Sequence, residues 1–153
     1  MKKKIAILGS TGSIGKSTLD VINKDKNFFT IVLLTANNNY KKLIKQAKKF
    51  KAQNVIITNK AHYHKLKNGL KKTKTKVYAG NISISDIISR KIDFTMSAIV
   101  GLAGLQPTVD AIKVSKTVAL ANKETIICGW PILSKLKKKY KTEIIPVDSE
   151  HFS

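Results

Sequence analysis

The sequence predicts a doubly wound α/β domain, with a mostly parallel sheet of about seven strands and helices on both faces. Short apolar runs bounded by turn residues recur along the chain, at intervals too long for hairpins. Amphipathic, lysine-rich stretches of helical length fill those intervals. Strands joined by helical crossovers pair in parallel, and a parallel sheet is covered on both faces. The 153 residues, 42% of them apolar, suffice for one such domain with a core of its own.

In chain order, the first strand is Ile5–Leu8, an apolar run that enters the turn Gly9-Ser-Thr-Gly-Ser-Ile-Gly15 and a helix over Ser13–Asn23. The second strand, Thr30–Thr35, holds Ile31-Val-Leu-Leu34 and ends in an asparagine run, after which Tyr40–Lys51 reads as helix. The strand Asn54–Thr58 is followed by a helix over Ala61–Leu70, and the strand Lys76–Tyr78 by a helix over Ile84–Arg90. The next strand is Phe94–Ala98, with a loop of small residues and a helix over Pro107–Val114 behind it. The last strands are Thr117–Leu120 and Glu143–Val147, flanking the longest helix, Lys123–Lys139. On that helix Trp130 and Pro131 are expected to pack one side, and the lone Cys128 to be a small core residue.

Strand, glycine turn and helix in that order form a phosphate-binding device. Glycines let the backbone approach a pyrophosphate closely, while the helix aims its amides and positive end at the anion. The spacing is G-x-x-G-x-x-G rather than G-x-G-x-x-G, yet the strand-to-helix context is kept, so a Rossmann-type nucleotide site is expected. A phosphotransferase P-loop is the competing enzyme reading, because Gly15-Lys16-Ser17 resembles the end of G-x-x-x-x-G-K-[ST]. Its first glycine would fall on Ser10, one place from Gly9.

Ligands of such sheets sit beyond the carboxyl ends of the strands. The clusters found there are Ala36-Asn-Asn-Asn39, Ile99-Val-Gly-Leu-Ala-Gly104, Ala121-Asn-Lys-Glu124 and Asp148-Ser-Glu150. An NAD site ordinarily ends its second strand in a carboxylate that accepts the ribose 2′-OH. No acidic residue stands between Asp25 and Asp86, and the equivalent point is Asn37-Asn38-Asn39 with Lys41 and Lys42 behind it. This favours NADP over NAD, although three asparagines also suit a plain turn. Asp148 and Glu150, two apart at a strand end, can share a face and offer oxygens to Mg²⁺ or Mn²⁺; a helix cap is the alternative. His151 adjoins them, and Asn122-Lys123-Glu124 opens the longest helix, where Glu also suits the dipole. His62 and His64 fall in a lysine-rich helix and are expected to be exposed.

The formal net charge is +20, but Arg90 is the only arginine. Bidentate phosphate and base-edge recognition draw on arginine, so the charge reads as a solvated lysine face rather than specific nucleic-acid binding. A lysine-rich nucleic-acid-binding module stays as the non-enzymatic alternative, recognisable by salt-dependent DNA binding. The single cysteine excludes an internal disulfide and suits a reducing compartment. After Met-Lys-Lys-Lys the apolar run is four residues, too short for export or a membrane span, so a cytoplasmic protein is expected.

Taken together, Gly9-Ser-Thr-Gly-Ser-Ile-Gly15 with Ser17-Thr-Leu-Asp20, Ala98-Ile-Val-Gly-Leu-Ala-Gly104-Leu105, Leu120-Ala-Asn-Lys-Glu124 and Pro146-Val-Asp-Ser-Glu-His151 resemble the 1-deoxy-D-xylulose 5-phosphate reductoisomerases. The resemblance runs over residues 1–153 and implies the NADPH-binding domain, ending where the metal and substrate domain begins. It implies bacterial isoprenoid synthesis by the non-mevalonate route: NADPH- and metal-dependent conversion of 1-deoxy-D-xylulose 5-phosphate to 2-C-methyl-D-erythritol 4-phosphate by a homodimer. On the matching positions, Thr11, Gly12, Ser13, Ile14, Asn37, Asn38, Asn39, Asn122 and Glu124 would contact the cofactor. Lys123, Ser149 and Glu150 would contact substrate, with Lys123 and Glu150 catalytic, and Asp148 and Glu150 would bind Mg²⁺, Mn²⁺ or Co²⁺. Many family members carry Gly-Lys-Asn or Gly-Arg-Asn where this chain has Asn37-Asn38-Asn39, so Lys41 or Lys42 would have to supply the cation. Lacking the rest of the family's length, this chain alone is expected to be catalytically inert.

Overall fold

The computed structural model describes residues 1–147; Asp148, Ser149, Glu150 and His151 lie outside the described residues. Seven strands form one sheet: β1 (Lys3–Leu8), β2 (Phe29–Ala36), β3 (Asn54–Ile57), β4 (Lys76–Ala79), β5 (Ile92–Ser97), β6 (Ser115–Leu120) and β7 (Glu143–Pro146). Between them run the helices α1 (Ser13–Lys24), α2 (Tyr40–Phe50), α3 (Tyr63–Gly69), α4 (Ile84–Ile87), α5 (Leu105–Val114) and α6 (Lys123–Tyr140). The strand order is β4-β3-β2-β1-β5-β6-β7, and every pairing is parallel. Winding proceeds from β1 through β4 to one edge, then resumes at β5 on the other side of β1. The switch point therefore falls between β1 and β5, where open α/β sheets have their crevice.

Alternation along the strands splits the core into two layers. Ile5, Ile7, Leu34 and Val55 join Leu19 and Ile22 of α1, Leu43 and Ala47 of α2, and Leu66 of α3. Ala6, Leu8, Leu33 and Ile56 face the other way, toward Ile84 of α4, Ala111 and Ile112 of α5 and Leu133 of α6. One irregularity interrupts the pattern: Ile5 pairs with Ile31 but Ala6 with Leu33, so Val32 is an extra residue. Val32 and Leu33 consequently sit in the same layer. The buried Asn54 donates Nδ2 to the Val32 carbonyl at 2.9 Å, so a buried backbone acceptor at the irregularity is satisfied.

Several local expectations change. The helix expected over Ile84–Arg90 is a single turn, because Ile88 is already extended (φ −100°, ψ 107°). Ala61–Leu70 divides into a 3₁₀ turn, Lys60–His62, and α3. His62 is half-buried and stacks on Tyr40 with ring centroids 5.0 Å apart, whereas His64 is exposed as expected. Cys128 is exposed rather than in the core, and Trp130 keeps 43% of its surface. The buried stripe of α6 is Thr125, Gly129 and Leu133, at a four-residue period, which leaves both on other sides of the helix.

Candidate functional site

β1 delivers Gly9 to the switch point, and β2 holds it there. Gly9 N–H donates to Thr35 Oγ1 at 3.0 Å, and Ser10 N–H to the Thr35 carbonyl at 2.9 Å. Gly9 has φ +79°, and a Cβ on it would lie 2.9 Å from the Ala98 carbonyl oxygen of the loop after β5. Gly15 sits where α1 crosses this turn, and a Cβ there would come 2.6 Å from Ser10 Cα. Glycine at these two places is a packing requirement.

The helix that follows has an open N-terminal end. α1 has Gly12 as its N-cap and no side chain to satisfy the first-turn amides, whereas Asn39 caps α2 and Asn122 caps α6 through their side-chain oxygens. Uncapped amides and the positive end of a twelve-residue helix therefore face the crevice. Thr11 and Gly12 line a cleft of about 850 Å³ there, together with Asn37, Ala98 and Ile99. Ser13 and Ile14 are the first residues of α1 beside it.

The asparagine run does two jobs. Asn39 accepts from Lys42 N–H at 3.1 Å, and Asn38 Oδ1 accepts from Asn59 Nδ2 at 2.7 Å, while all three asparagines stay exposed. In sequence they lie within the acid-free stretch between Asp25 and Asp86. Behind them in sequence, Lys42 is held below the usual lysine range. The contact with Lys16 is the first cause, followed by partial desolvation and the charges of Lys16 and Lys45.

Asn122 is buried, and its amide is committed to the protein. Nδ2 donates to the carbonyls of Ile99 and Gly101, each at 2.5 Å, and Oδ1 accepts from Thr125 N–H at 3.2 Å. The residue thus ties the end of β6 to the loop that walls the cleft. Lys123 and Glu124 stand exposed in the first turn of α6, adjoining that clamp in sequence. Val147 N–H donates to the Leu120 carbonyl at 2.9 Å, which holds the last described residue beside the end of β6.

The opposite wall of the cleft comes from residues that sequence reasoning did not single out: Thr58, Asn81, Ser83, Gln106 and Asp110. Gln106 Nε2 donates to the buried Asp110 at 3.2 Å. Only the loop Ile99–Gly104 carried a signal, as a small-residue cluster after a strand. The others reach the cleft through the sheet order.

Residues 5–129 match the family model described as 1-deoxy-D-xylulose 5-phosphate reductoisomerase. The reductoisomerase of Pelagibacter ubique is 54% identical over 153 residues, covering 99% of this chain and 39% of the relative. That of Phocaeicola vulgatus is 47% identical over 152 residues, with 99% and 40% covered. The chain therefore spans about two fifths of the length of these curated relatives. Among solved structures, the Zymomonas mobilis reductoisomerase in complex with NADPH superposes with a TM-score of 0.92 at 38% identity, covering 99% of this chain and 40% of that one. A reductoisomerase solved with NADPH, fosmidomycin and magnesium gives 0.88 at 34% identity, covering 97% and 37%.

Proposed function

Since the chain belongs to the 1-deoxy-D-xylulose 5-phosphate reductoisomerase family, we propose that it is the NADPH-binding part of an enzyme converting 1-deoxy-D-xylulose 5-phosphate to 2-C-methyl-D-erythritol 4-phosphate. The observation that carries this reading is the uncapped N-terminus of α1, opening on the cleft at the β1/β5 switch point. A pyrophosphate fits there because Gly9 and Gly15 remove the Cβ atoms that would hold the backbone elements apart, and because the first-turn amides lack an internal partner.

In this reading Thr11, Gly12, Ser13 and Ile14 hold the pyrophosphate, Asn37, Asn38 and Asn39 flank the adenosine ribose, and Asn122 and Glu124 border the nicotinamide side. Bound NADPH supplies a hydride, and the protein supplies its position and a dry wall. Asn122 contributes by fixing the Ile99–Gly101 loop, since its own amide is fully engaged. Lys123 and Ser149 orient the substrate. Asp148 and Glu150 are carboxylate ligands suited to Mg²⁺ or Mn²⁺, which prefer oxygen donors; such an ion stabilises charge on substrate oxygens. Assembly as a homodimer in the cytoplasm completes the proposal. Among the described residues, no helix is long and apolar enough to cross a membrane.

Calorimetric titration of the chain at physiological salt, with NADPH and Mg-ATP in separate runs, tests the cofactor site. NADPH binding with weak or no Mg-ATP binding is the expected result. A preference for Mg-ATP overturns the reading in favour of phosphotransfer.

A further inference from the structure

The far wall of the cleft holds a buried carboxylate. Asp110 of α5 keeps 7% of its surface. Burying a carboxylate is costly unless a cation or several hydrogen bonds compensate it. Gln106, one helical turn earlier, donates Nε2 to Asp110 Oδ1 at 3.2 Å, and that is the one hydrogen bond of this side chain among the described residues. No cation answers the charge, since the salt bridge among the described residues is Lys116–Asp93. The sealed, unpaired side-chain atom among those residues is Thr125 Oγ1, so Oδ2 of Asp110 keeps an opening, and the cleft is what Asp110 lines.

An acceptor left open in a cleft calls for a ligand that brings a donor, and the surroundings narrow which one. Asn81, Ile82 and Ser83 follow β4 and line the same cleft, and α4 and α5 pack together on that face of the sheet. This is the half of the sheet reached from β2, where the adenosine of a dinucleotide lies once its pyrophosphate is at α1. Charge disfavours a phosphate beside a carboxylate. Ile82 and Pro107 next to Asp110 offer nothing to a sugar hydroxyl. A planar base has what this wall lacks: apolar faces to lay against Ile82 and Pro107, and an edge that carries an N–H donor.

We propose that Asp110 is a specificity-determining residue that reads the adenine base: its Oδ2 accepts a hydrogen bond from the exocyclic 6-amino group, while Gln106 holds Oδ1 and fixes the rotation of the carboxylate. The proposal rests on the dinucleotide reading above and gives the choice of base to a helix outside both the glycine turn and the asparagine run. A base with oxygen at that position sets acceptor against acceptor in a buried place, so the site rejects it.

The test compares NADPH with reduced nicotinamide hypoxanthine dinucleotide phosphate, in which oxygen replaces the 6-amino group. Affinities are measured by calorimetry at physiological salt. The natural chain is expected to bind NADPH about tenfold more tightly, as for a hydrogen bond to a charged group, and this comparison needs no variant. Asp110→Asn carries an amide that can accept from the amine or donate to the oxygen, so it should bind both dinucleotides alike. Glu143→Gln, at the exposed amino end of β7, controls for the loss of one negative charge and should keep the preference. Far-UV circular dichroism confirms folding of both variants. If the natural chain binds the two dinucleotides alike, or if Asp110→Asn keeps the full preference, Asp110 does not read the base and this inference fails while the dinucleotide site stands. If the natural chain binds neither dinucleotide, the dinucleotide reading itself fails.

Discussion

Ser10 and Gln46 exchange hydrogen bonds across 36 positions of sequence: Ser10 Oγ donates to Gln46 Oε1 at 2.8 Å, and Gln46 Nε2 donates back to the Ser10 carbonyl at 3.0 Å. Ser10 is fully buried, so both of its oxygens depend on protein partners. Through this pair the second helix is registered on the glycine turn.

Replacing Gln46→Leu removes both bonds and leaves the Ser10 carbonyl without its side-chain donor. A loss of about 1–3 kcal/mol is expected, the cost of unsatisfied buried polar groups. Urea denaturation measures it; an unchanged midpoint would show that α2 is held by its apolar face alone. NADPH affinity should fall in the same variant, because the helix also carries Lys42.

Two glycines of the turn should respond differently to alanine. Gly15→Ala puts a Cβ 2.6 Å from Ser10 Cα, so α1 must shift and about 1–3 kcal/mol of stability is lost. At Gly12 φ is −79° and the nearest atom to a built Cβ is the Gly9 carbonyl oxygen at 3.6 Å. Gly12→Ala should therefore fold with stability within about 0.5 kcal/mol of the parent. It should bind NADPH more weakly, because the methyl occupies the approach to the amides. Thermal unfolding and titration of the two variants separate the effects, and equal stability loss in both would refute the distinction.

Asn122→Ala should destabilise by about 1–3 kcal/mol, since the Ile99 and Gly101 carbonyls lose a donor and Thr125 N–H an acceptor. Asn122→Asp keeps the cap but turns a carboxylate toward two carbonyl oxygens, and should be the worse variant at pH 7. Partial recovery of the aspartate variant on acidification, followed by thermal unfolding, is the expected signature. Parity of the two variants at neutral pH would mean that the cap, rather than the double donation, is what matters.

Asp93 ties three strands at one end of the sheet. Its carboxylate accepts Lys4 N–H at 2.8 Å and the Lys116 amine at 3.3 Å, and the backbone bond is the first cause of a pKa below the ordinary 3.8. The folded state binds this proton less readily than the unfolded chain. The contribution is therefore complete above the ordinary carboxylate range and is lost as pH falls from there through the lowered value. Asp93→Asn should cost about 1 kcal/mol near neutrality and less with acidification. Denaturation series at pH 7 and pH 3 test this; a constant difference between parent and variant would contradict it.

The local parts of this fold were legible because their causes are local. Strand-to-helix alternation follows from apolar runs and amphipathic periods, and the glycine turn from backbone conformations and approaches that a side chain would block. Helix ends were less sharp: Lys51 and Lys141 cap α2 and α6 in the left-handed conformation, where glycine or asparagine is the usual signal. The exposure of Cys128 and Trp130 could not be read from their types, because the buried stripe of α6 is set by what packs on it.

The sequence by itself determined the α/β class, the place of the glycine turn and the absence of a carboxylate after the second strand. Only the tertiary structure decided which distant residues come together around the candidate site: Gln46 against Ser10, Asn122 against Ile99 and Gly101, and Asn81 to Ser83 on the far wall. Strand order does this, because placing β5 beside β1 brings together loops that no local period relates. The physical reason is that hydrogen bonding and charge act across space, while propensity and periodicity act along the chain.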